Sequence, residues 1–413
     1  MKHLKALHTL AFTLCAFTAS AQSEHFVGGD ISMLPKYEEA GVVYKNQDGQ
    51  TVNDVLAFFK EQGLNAMRVR LFVDPSKDND KAVCQDLDYV KRLGKRIKDA
   101  GLKLMLDFHY SDTWADPAKQ WTPDDWKSLT DAQLYDQIYN YTKDCLEQMT
   151  AAGATPDFIQ TGNEISYGML WGTKGSSNLK KCYTSSNSNW DRFTTLLKRA
   201  GSACREVCPQ AKIIIHTERA AQQSVLTGIY DKMKQANVDY DIIGLSYYPD
   251  HHGNLNTLET ALKALEQKQY GKNIMIVETG YSYAWAIGNS FDYTKTYPYT
   301  EEGQRHFTED LIKKLKEHEL VTGLFWWWPE DNGNKQVTNS WWNAALYNHN
   351  TGKPYAAFYE LQNFASGNTA IQTIAADKST ANNGWYTIDG RRLNKQPAAK
   401  GIYIYQRQKV VIR

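Results

Sequence analysis

Two short runs of this chain stay apolar until their last residues and then turn polar. PDFIQTGNEISYG, residues 156–168, delivers Asn163 and Glu164, and KNIMIVETGYSY, residues 272–283, delivers Glu278. Two carboxyl groups flanking a bond are the minimal equipment for splitting a glycosidic linkage. One carboxyl must hold a proton for the leaving oxygen while the other, ionised, attacks the anomeric carbon. Their surroundings must therefore push the two pKa values apart. Asn163 can hydrogen-bond a sugar hydroxyl beside the reacting carbon. Arg68, expected to face inward late in its strand, can keep Glu278 ionised, and Arg70 shares its parity. Tyr247 or Tyr248, in SYYP, is placed to orient the nucleophile. Taken alone, either glutamate fits a capped loop or an exposed carboxylate just as well. Glu218, after IIIHT, is a third carboxylate at a strand end, and His109 reads equally as a satisfied core histidine.

The elements that must carry these groups follow one grammar. Eight apolar runs, Phe26–Ile31, Ala66–Phe72, Lys103–Phe108, Phe158–Thr161, Lys212–His216, Asp241–Ser246, Asn273–Val277 and Thr322–Trp327, alternate with amphipathic segments. The latter are Val52–Gln62, Asp86–Ala100, Gln133–Ala151, Asn189–Val207, Thr227–Asn237, Leu255–Gln269 and Gly303–His318. In EQGLNAMRVRL, DAGLKLML and AAGATPDFI a helix stops at glycine and a buried strand follows, which is C-cap chemistry feeding a parallel sheet. The pattern predicts an α/β chain, a (β/α)8 TIM barrel over residues 22–366. A doubly wound open sheet would carry a glycine-rich phosphate loop after an early strand, and the sequence has none. In a barrel, chemistry gathers at the C-terminal strand ends. Those ends here carry Asp30, Arg68, His109, Asn163, Glu164, His216, Tyr247, Tyr248, Glu278 and Trp326–Trp328.

Residues 367–413 change style. A small, polar linker leads into GWYTIDGRRLNKQPAAKGIYIYQRQKVVIR, which alternates at period two around the turn signal Asp389-Gly390. This predicts a small C-terminal antiparallel β-module. At the other end, Lys2 and Lys5, an apolar stretch too short to span a bilayer, and Ala19-Ser20-Ala21 read as a secretory signal, residues 1–21, cut after Ala21. The mature chain is then exported, to the periplasm, the cell surface or the medium. No later run is long and apolar enough for a membrane span.

The 413 residues hold 47 Lys+Arg against 46 Asp+Glu, so no basic field exists to attract nucleic acid. Twelve Trp and 25 Tyr are more than a core of this size needs, and some are expected to line a cleft, where flat rings with a polar handle suit sugars. Five cysteines remain after the signal, Cys84, Cys145, Cys182, Cys204 and Cys208. An odd number leaves at least one thiol unpaired within the chain, and the four-residue spacing of Cys204 and Cys208 is awkward for a disulfide. No Cys/His spacing resembles a metal site, and no cofactor is expected.

Several longer blocks carry a resemblance: GGDISMLPKYEEAGVVYKN, NAMRVRLFVDP, LDFHYSDTWADPAKQ, IQTGNEISYGMLW, IIGLSYYPDHHG, IVETGYSY and YPYTEEGQ. Over roughly Phe26 to Ala365 the chain resembles the endo-β-1,4-galactanases (arabinogalactan endo-β-1,4-galactanases), glycoside hydrolase family 53 of the clan of retaining (β/α)8 glycosidases. The resemblance implies internal cleavage of β-1,4-linked galactan or type I arabinogalactan with retention, by a monomer. It implies Glu164 as acid/base and Glu278 as nucleophile. It places Arg68, His109, Asp112, Trp114, Asn163, Tyr248 and His252 around the substrate, and Tyr247 of SYYP and Trp328 of FWWWPEDNG are further candidates to bind it. The chain departs from the family at FWWWPEDNG, where a Tyr-Trp-Glu-Pro order is usual, and at His251, where Trp is common. The loop YSYAWAIGNSFDYTK lacks the acidic, His- and Asn-containing run that binds calcium in some bacterial members, so no structural calcium is expected. The same two glutamates would serve a mannanase or cellulase on this barrel. A non-catalytic glycan-binding barrel would have lost one of them.

Overall fold

A computed structural model describes residues 24–338 and 341–366, together with 385–387, 392–393, 395–397, 399–405 and 408–412. The signal-like segment 1–21, the linker and the Asp389-Gly390 turn lie outside these residues. The chain divides into two units, Met1–Ser366 and Gly367–Arg413.

In the first unit eight parallel strands close into a barrel in sequence order. They are β1 (Phe26–Asp30), β2 (Ala66–Leu71), β3 (Lys103–Phe108), β4 (Phe158–Gln160), β5 (Lys212–Thr217), β6 (Ile242–Tyr247), β7 (Asn273–Thr279) and β8 (Val321–Trp327). Around them run α1 (Leu34–Glu39), α2 (Val55–Glu61), α3 (Leu87–Asp99), α4 (Asp131–Ala151), α5 (Trp190–Val207), α6 (Gln223–Gln235), α7 (Pro249–His252), α8 (Leu255–Gln267), α9 (Glu301–Lys316), α10 (Ala356–Glu360) and α11 (Gln362–Ala365).

Caps set where the helices begin. Asp54 accepts from the N–H groups of Leu56 and Ala57, so α2 starts later than its apolar pattern. Thr130 and Gln133 form a reciprocal capping box that starts α4 at Asp131. Helix α6 opens at Gln223, earlier than the Thr227 expected, because the polar Gln-Ser pair of its first turn mimics a loop in sequence. Apolar stripes such as Tyr89, Val90, Leu93 and Ile97 of α3 are buried against the outer face of the sheet.

Strand parity divides the barrel wall. Met67 and Val69 on β2, Leu104 and Leu106 on β3, and Ile213 and Ile215 on β5 belong to the large cluster between sheet and helices. Ala66, Met105, Phe158, Ile214, Ile242, Met275, Val277 and Phe325 form a separate apolar cluster that plugs the barrel's interior. Two residues further along the same inward parity come Arg68, Asp107, Gln160 and His216, all of them buried. The interior is thus apolar below and polar above, toward the C-terminal strand ends.

Strand β7 breaks this arithmetic. Leu245 pairs with Ile276, but Ser246 pairs with Glu278, so one residue of β7 bulges. Ile274 and Ile276 pack outward and Met275 and Val277 inward. Continued alternation would send Glu278 outward. The bulge turns it into the barrel instead.

The second unit contains a four-stranded antiparallel sheet in the order β10-β9-β11-β12, with β9 Trp385–Thr387, β10 Arg392–Leu393, β11 Gly401–Tyr405 and β12 Gln408–Ile412.

Candidate active site

The C-terminal ends of the strands surround a cleft of about 480 Å³. Asn163, Glu164, Glu218 and Glu278 stand in it, walled by Trp114, Tyr248, Trp327 and Trp341 and by His251 and His252. A larger cavity, about 710 Å³, lies at the opposite end of the barrel. Its two aspartates are already engaged: Asp157 with Lys103 at 3.1 Å and the Leu104 N–H at 2.9 Å, Asp241 with the Ile213 N–H at 2.8 Å. Nothing there is arranged for chemistry, as expected of a barrel's stability face.

Arg68 organises the floor. Its Nη2 donates to Asp107 Oδ2 at 2.8 Å, to Asn163 Oδ1 at 2.8 Å and to Glu278 Oε1 at 2.9 Å. Its Nη1 reaches Asp30 Oδ2 and its Nε reaches Gln160 Oε1, both at 2.8 Å. A guanidinium with no exposed surface is tolerable only with such partners. Burial opposes ionisation of Asp107, but Arg68 and His109 overcome it and hold the carboxyl down at about 2. Asp107 and Glu278 thus share the Arg68 charge, and Asp30 bridges it to a second guanidinium, Arg70.

Glu278 is 5 % exposed. Its Oε1 takes the Arg68 bond and its Oε2 accepts from the Tyr248 hydroxyl at 3.1 Å. Burial raises its pKa, with Arg68 pulling the other way. Glu164 sits differently. Its backbone has φ +47°, an uncommon conformation for a residue with a side chain, and the preceding Gly162 has φ +116°. A Cβ on Gly162 would lie 2.8 Å from Ile165 Cγ2, so the turn that presents Glu164 requires glycine there. The Glu164 carboxylate accepts from the Ser246 hydroxyl at 2.6 Å and, among the described residues, pairs with no cation. Burial first, then the charges of Glu278 and Glu218, push its pKa well above the usual glutamate range.

A second layer sets these groups. His216 Nε2 is 2.8 Å from Ser246 Oγ, while its Nδ1 faces the Glu164 N–H at 3.3 Å and Gln160 Nε2 at 3.0 Å. The tautomer protonated at Nε2 satisfies these three contacts and leaves the Nδ1 lone pair facing Asn163 Oδ1 at 3.0 Å. Burial keeps the ring neutral, its pKa well below the usual histidine value. Asn163 donates from Nδ2 to the Ala115 carbonyl at 2.8 Å, which fixes which way its amide points. Glu218 is nine-tenths buried, bonded to the Ser166 hydroxyl and to Arg219 Nε, the latter at 2.8 Å.

Of the residues singled out in the sequence, Trp114, Asn163, Glu164, Tyr248, His252 and Glu278 line one cleft, and Arg68 lies beneath it. His109 is buried below, its Nδ1 accepting from the Ala115 N–H at 3.0 Å and its Nε2 3.1 Å from Asp107. Asp112 ties two loops together through the N–H groups of Asp74 and Asp124, at 3.1 and 2.8 Å. The Tyr247 hydroxyl donates to the Gly253 carbonyl at 2.9 Å, away from the cleft lining. Trp328 stacks under Trp327, centroids 5.4 Å apart, and it is Trp327 that faces the cleft. Arg70 is wedged among Trp114, Trp327 and Trp328, 4.8 to 5.1 Å from their rings, and binds Asp30 at 2.6 Å.

Sequence reasoning missed Asp107, Gln160 and Ser246 as supports and Trp341 as a wall. Asp107 and Gln160 carried a signal, polar residues inside apolar strand runs. Trp341 carried none, because it lies in an irregular loop. The five cysteines among the described residues, Cys84, Cys145, Cys182, Cys204 and Cys208, are free thiols, and all but Cys84 are buried.

The fold and the family of this chain are shared with solved structures and relatives. The barrel is similar to an Ignisphaera aggregans family 53 catalytic domain, TM-score 0.71 and 29 % identity over 83 % of this chain and 97 % of that one. It is 34 % identical to a Thermothelomyces thermophilus protein called arabinogalactan endo-β-1,4-galactanase, over 73 % of this chain and 88 % of that protein. It is 28 % identical to an endo-β-1,4-galactanase of Bacillus subtilis strain 168, over 84 % and 81 % of the two chains. Residues 26–359 match the family model described as glycosyl hydrolase family 53, and the chain belongs to that family.

Proposed function

We propose that this chain is an endo-β-1,4-galactanase that cleaves galactan with retention, Glu278 acting as nucleophile and Glu164 as acid/base. One observation carries the division of labour. Glu278 is bonded to a cation and a tyrosine hydroxyl, whereas Glu164 is bonded only to neutral Ser246. Both carboxyls are raised by burial, but only Glu278 has a guanidinium favouring its ionised form. On deprotonation Glu278 therefore ionises first, and Glu164 keeps its proton, the more so because the new charge on Glu278 repels a second one.

In the first step Glu278 attacks the anomeric carbon as Glu164 passes its proton to the departing oxygen, leaving a glycosyl ester on Glu278. In the second, the now ionised Glu164 takes a proton from water, whose oxygen attacks the anomeric carbon and frees Glu278. Arg68 keeps the ester's carboxylate a good leaving group. The second N–H of Asn163 Nδ2 remains for a sugar hydroxyl, and the Trp114, Trp327 and Trp341 rings supply apolar faces for the sugars. The chain is further read as an exported monomer, on the strength of residues 1–21 and the family resemblance. N-terminal sequencing of the secreted protein and sedimentation check both points.

The deciding experiment follows hydrolysis of linear β-1,4-galactan by NMR and by product size. Early appearance of the β-anomer among oligosaccharides of mixed length is the expected result. The α-anomer appearing first would remove the retaining mechanism. Release of a single small product from the outset would remove internal cleavage.

A further inference from the structure

Trp285 lies in the loop after β7 and is 48 % exposed, the most exposed large aromatic among the described residues. A lone surface tryptophan needs no explanation, but this one is fixed in place. Its carbonyl accepts a bond from Asn343 Nδ2 at 2.7 Å and another from the Ser282 hydroxyl, and both of those residues are buried. The loop just beyond it is fastened to buried Asp250. Asp250 Oδ2 accepts from the N–H groups of Ile287 at 2.8 Å and Gly288 at 3.2 Å, and its carbonyl accepts from Ser290 and Phe291 at 3.1 Å each. The Trp285 ring stands against Trp342 at 4.5 Å and 84°. Trp342 follows Trp341, which walls the cleft and lies 5.7 Å from the Tyr248 ring. Trp341 and Trp342 are chain neighbours, one ring walling the cleft and the other backing Trp285, so the half-exposed indole stands in a loop on the same end of the barrel as the cleft.

We propose that Trp285, backed by Trp342, is a remote sugar-binding platform that stacks on a galactose unit of the same polysaccharide chain, outside the cleft that cuts it. The proposal rests on the galactanase reading above. A polymeric substrate must leave a cleft of this size and cross the surface beside it. A β-galactose ring gathers the C–H groups of carbons 3, 4 and 5 on one face, because its 4-hydroxyl is axial and points to the other. That apolar face matches a flat indole. An ordered loop costs the bound state less than a mobile one, which is the use of the Asp250 and Asn343 fastenings.

The test compares kcat/KM on polymeric galactan with kcat/KM on galactotetraose, for the full chain and for Trp285→Ala. The polymer-to-tetramer ratio is expected to fall about tenfold, the loss of one well-placed ring contact. Tyr183→Ala, which removes the other exposed large aromatic among the described residues, is expected to leave the ratio where it was. An unchanged ratio in Trp285→Ala overturns the platform. A second readout does not need hydrolysis: retardation of Glu278→Gln protein in native gels containing galactan. Loss of retardation on adding Trp285→Ala supports the platform, and equal retardation overturns it. Wild-type protein that is retarded by galactan through Trp285 but never cuts it would strike the proposed reaction and leave the platform standing. A dimer in sedimentation that Trp285→Ala dissolves would make the ring a contact between copies of this chain and overturn the proposal.

Discussion

Arg68 Nη2 and Glu278 Oε1 meet at 2.9 Å with Arg68 wholly buried, though one residue comes from β2 and the other from β7. This contact makes two similar glutamates unequal. A nucleophile beside a fixed guanidinium loses its proton sooner than an acid beside a serine, so the two should fail differently when removed. Glu278→Ala should abolish cleavage of every substrate. Glu164→Ala should cripple galactan hydrolysis by about 10²–10⁴-fold yet still form the glycosyl ester from an activated aryl galactoside, whose leaving group needs no proton. Azide, a nucleophile that needs no base, should restore aryl galactoside turnover in Glu164→Ala and give a β-azide. Rescue of Glu278→Ala with an α-azide would reverse the two roles. A structure with the two carboxyls about 6.5–9.5 Å apart, rather than about 5–5.5 Å, would argue for inversion.

Tyr248→Phe tests the acid side of the pH profile. The Tyr248 hydroxyl donates to Glu278 Oε2 and favours the ionised carboxylate. Losing that bond raises the pKa of Glu278, so the acid limb of kcat/KM should move to higher pH, by up to about one unit. The alkaline limb, which reports Glu164, should move less. An acid limb that stays in place or moves down would show that the hydroxyl does not stabilise the charge.

Asp331, in the loop after β8, gives a prediction about stability. It is fully buried, and burial raises its pKa from 3.8 to about 6. Between those values the folded chain holds a proton that the unfolded chain has released, so this group's contribution is complete below about pH 4 and is lost as pH rises through 6. Asp331→Asn keeps an oxygen for the Gly333 N–H, bonded at 2.8 Å, and cannot ionise. The variant should therefore gain stability relative to the parent as pH rises from 4 to 7, by up to about 3 kcal/mol. Denaturant titrations across that range measure the difference. A constant difference would mean that Asp331 is not protonated in the folded state.

Truncation after Ser366 should leave a folded and active enzyme. The barrel closes on itself through the β1–β8 pairing, and every cleft residue precedes Ser366. Thermal unfolding and galactan hydrolysis of residues 22–366 against the full chain check this. An insoluble product would show that the barrel depends on the β-module.

The order of elements was written in the chain. Repeated apolar runs that end in polar residues, several of them preceded by a glycine stop, leave few alternatives to a parallel barrel, because local propensity and burial pattern agree. Strand-end position picked out Asn163, Glu164 and Glu278 for the same reason: in a barrel those ends converge. Helix starts were less legible where a cap outweighed the apolar pattern, as Asp54 and Thr130 did. The inward face of Glu278 could not be read at all. Alternation from Ile274 and Ile276 points it toward the helices, and only the bulge against Ser246 turns it into the cleft. A bulge depends on how two strands pair, and that information is absent from either strand alone. The division between Trp327 and Trp328 has the same origin. Both are tryptophans in one run, and the backbone turn at Trp328, φ +47°, puts one ring at the cleft and the other beneath it against Arg70. Residue type determined what chemistry was available at the mouth of this barrel. Strand pairing and backbone turns, which sum contacts between residues far apart in sequence, decided which side chains face it.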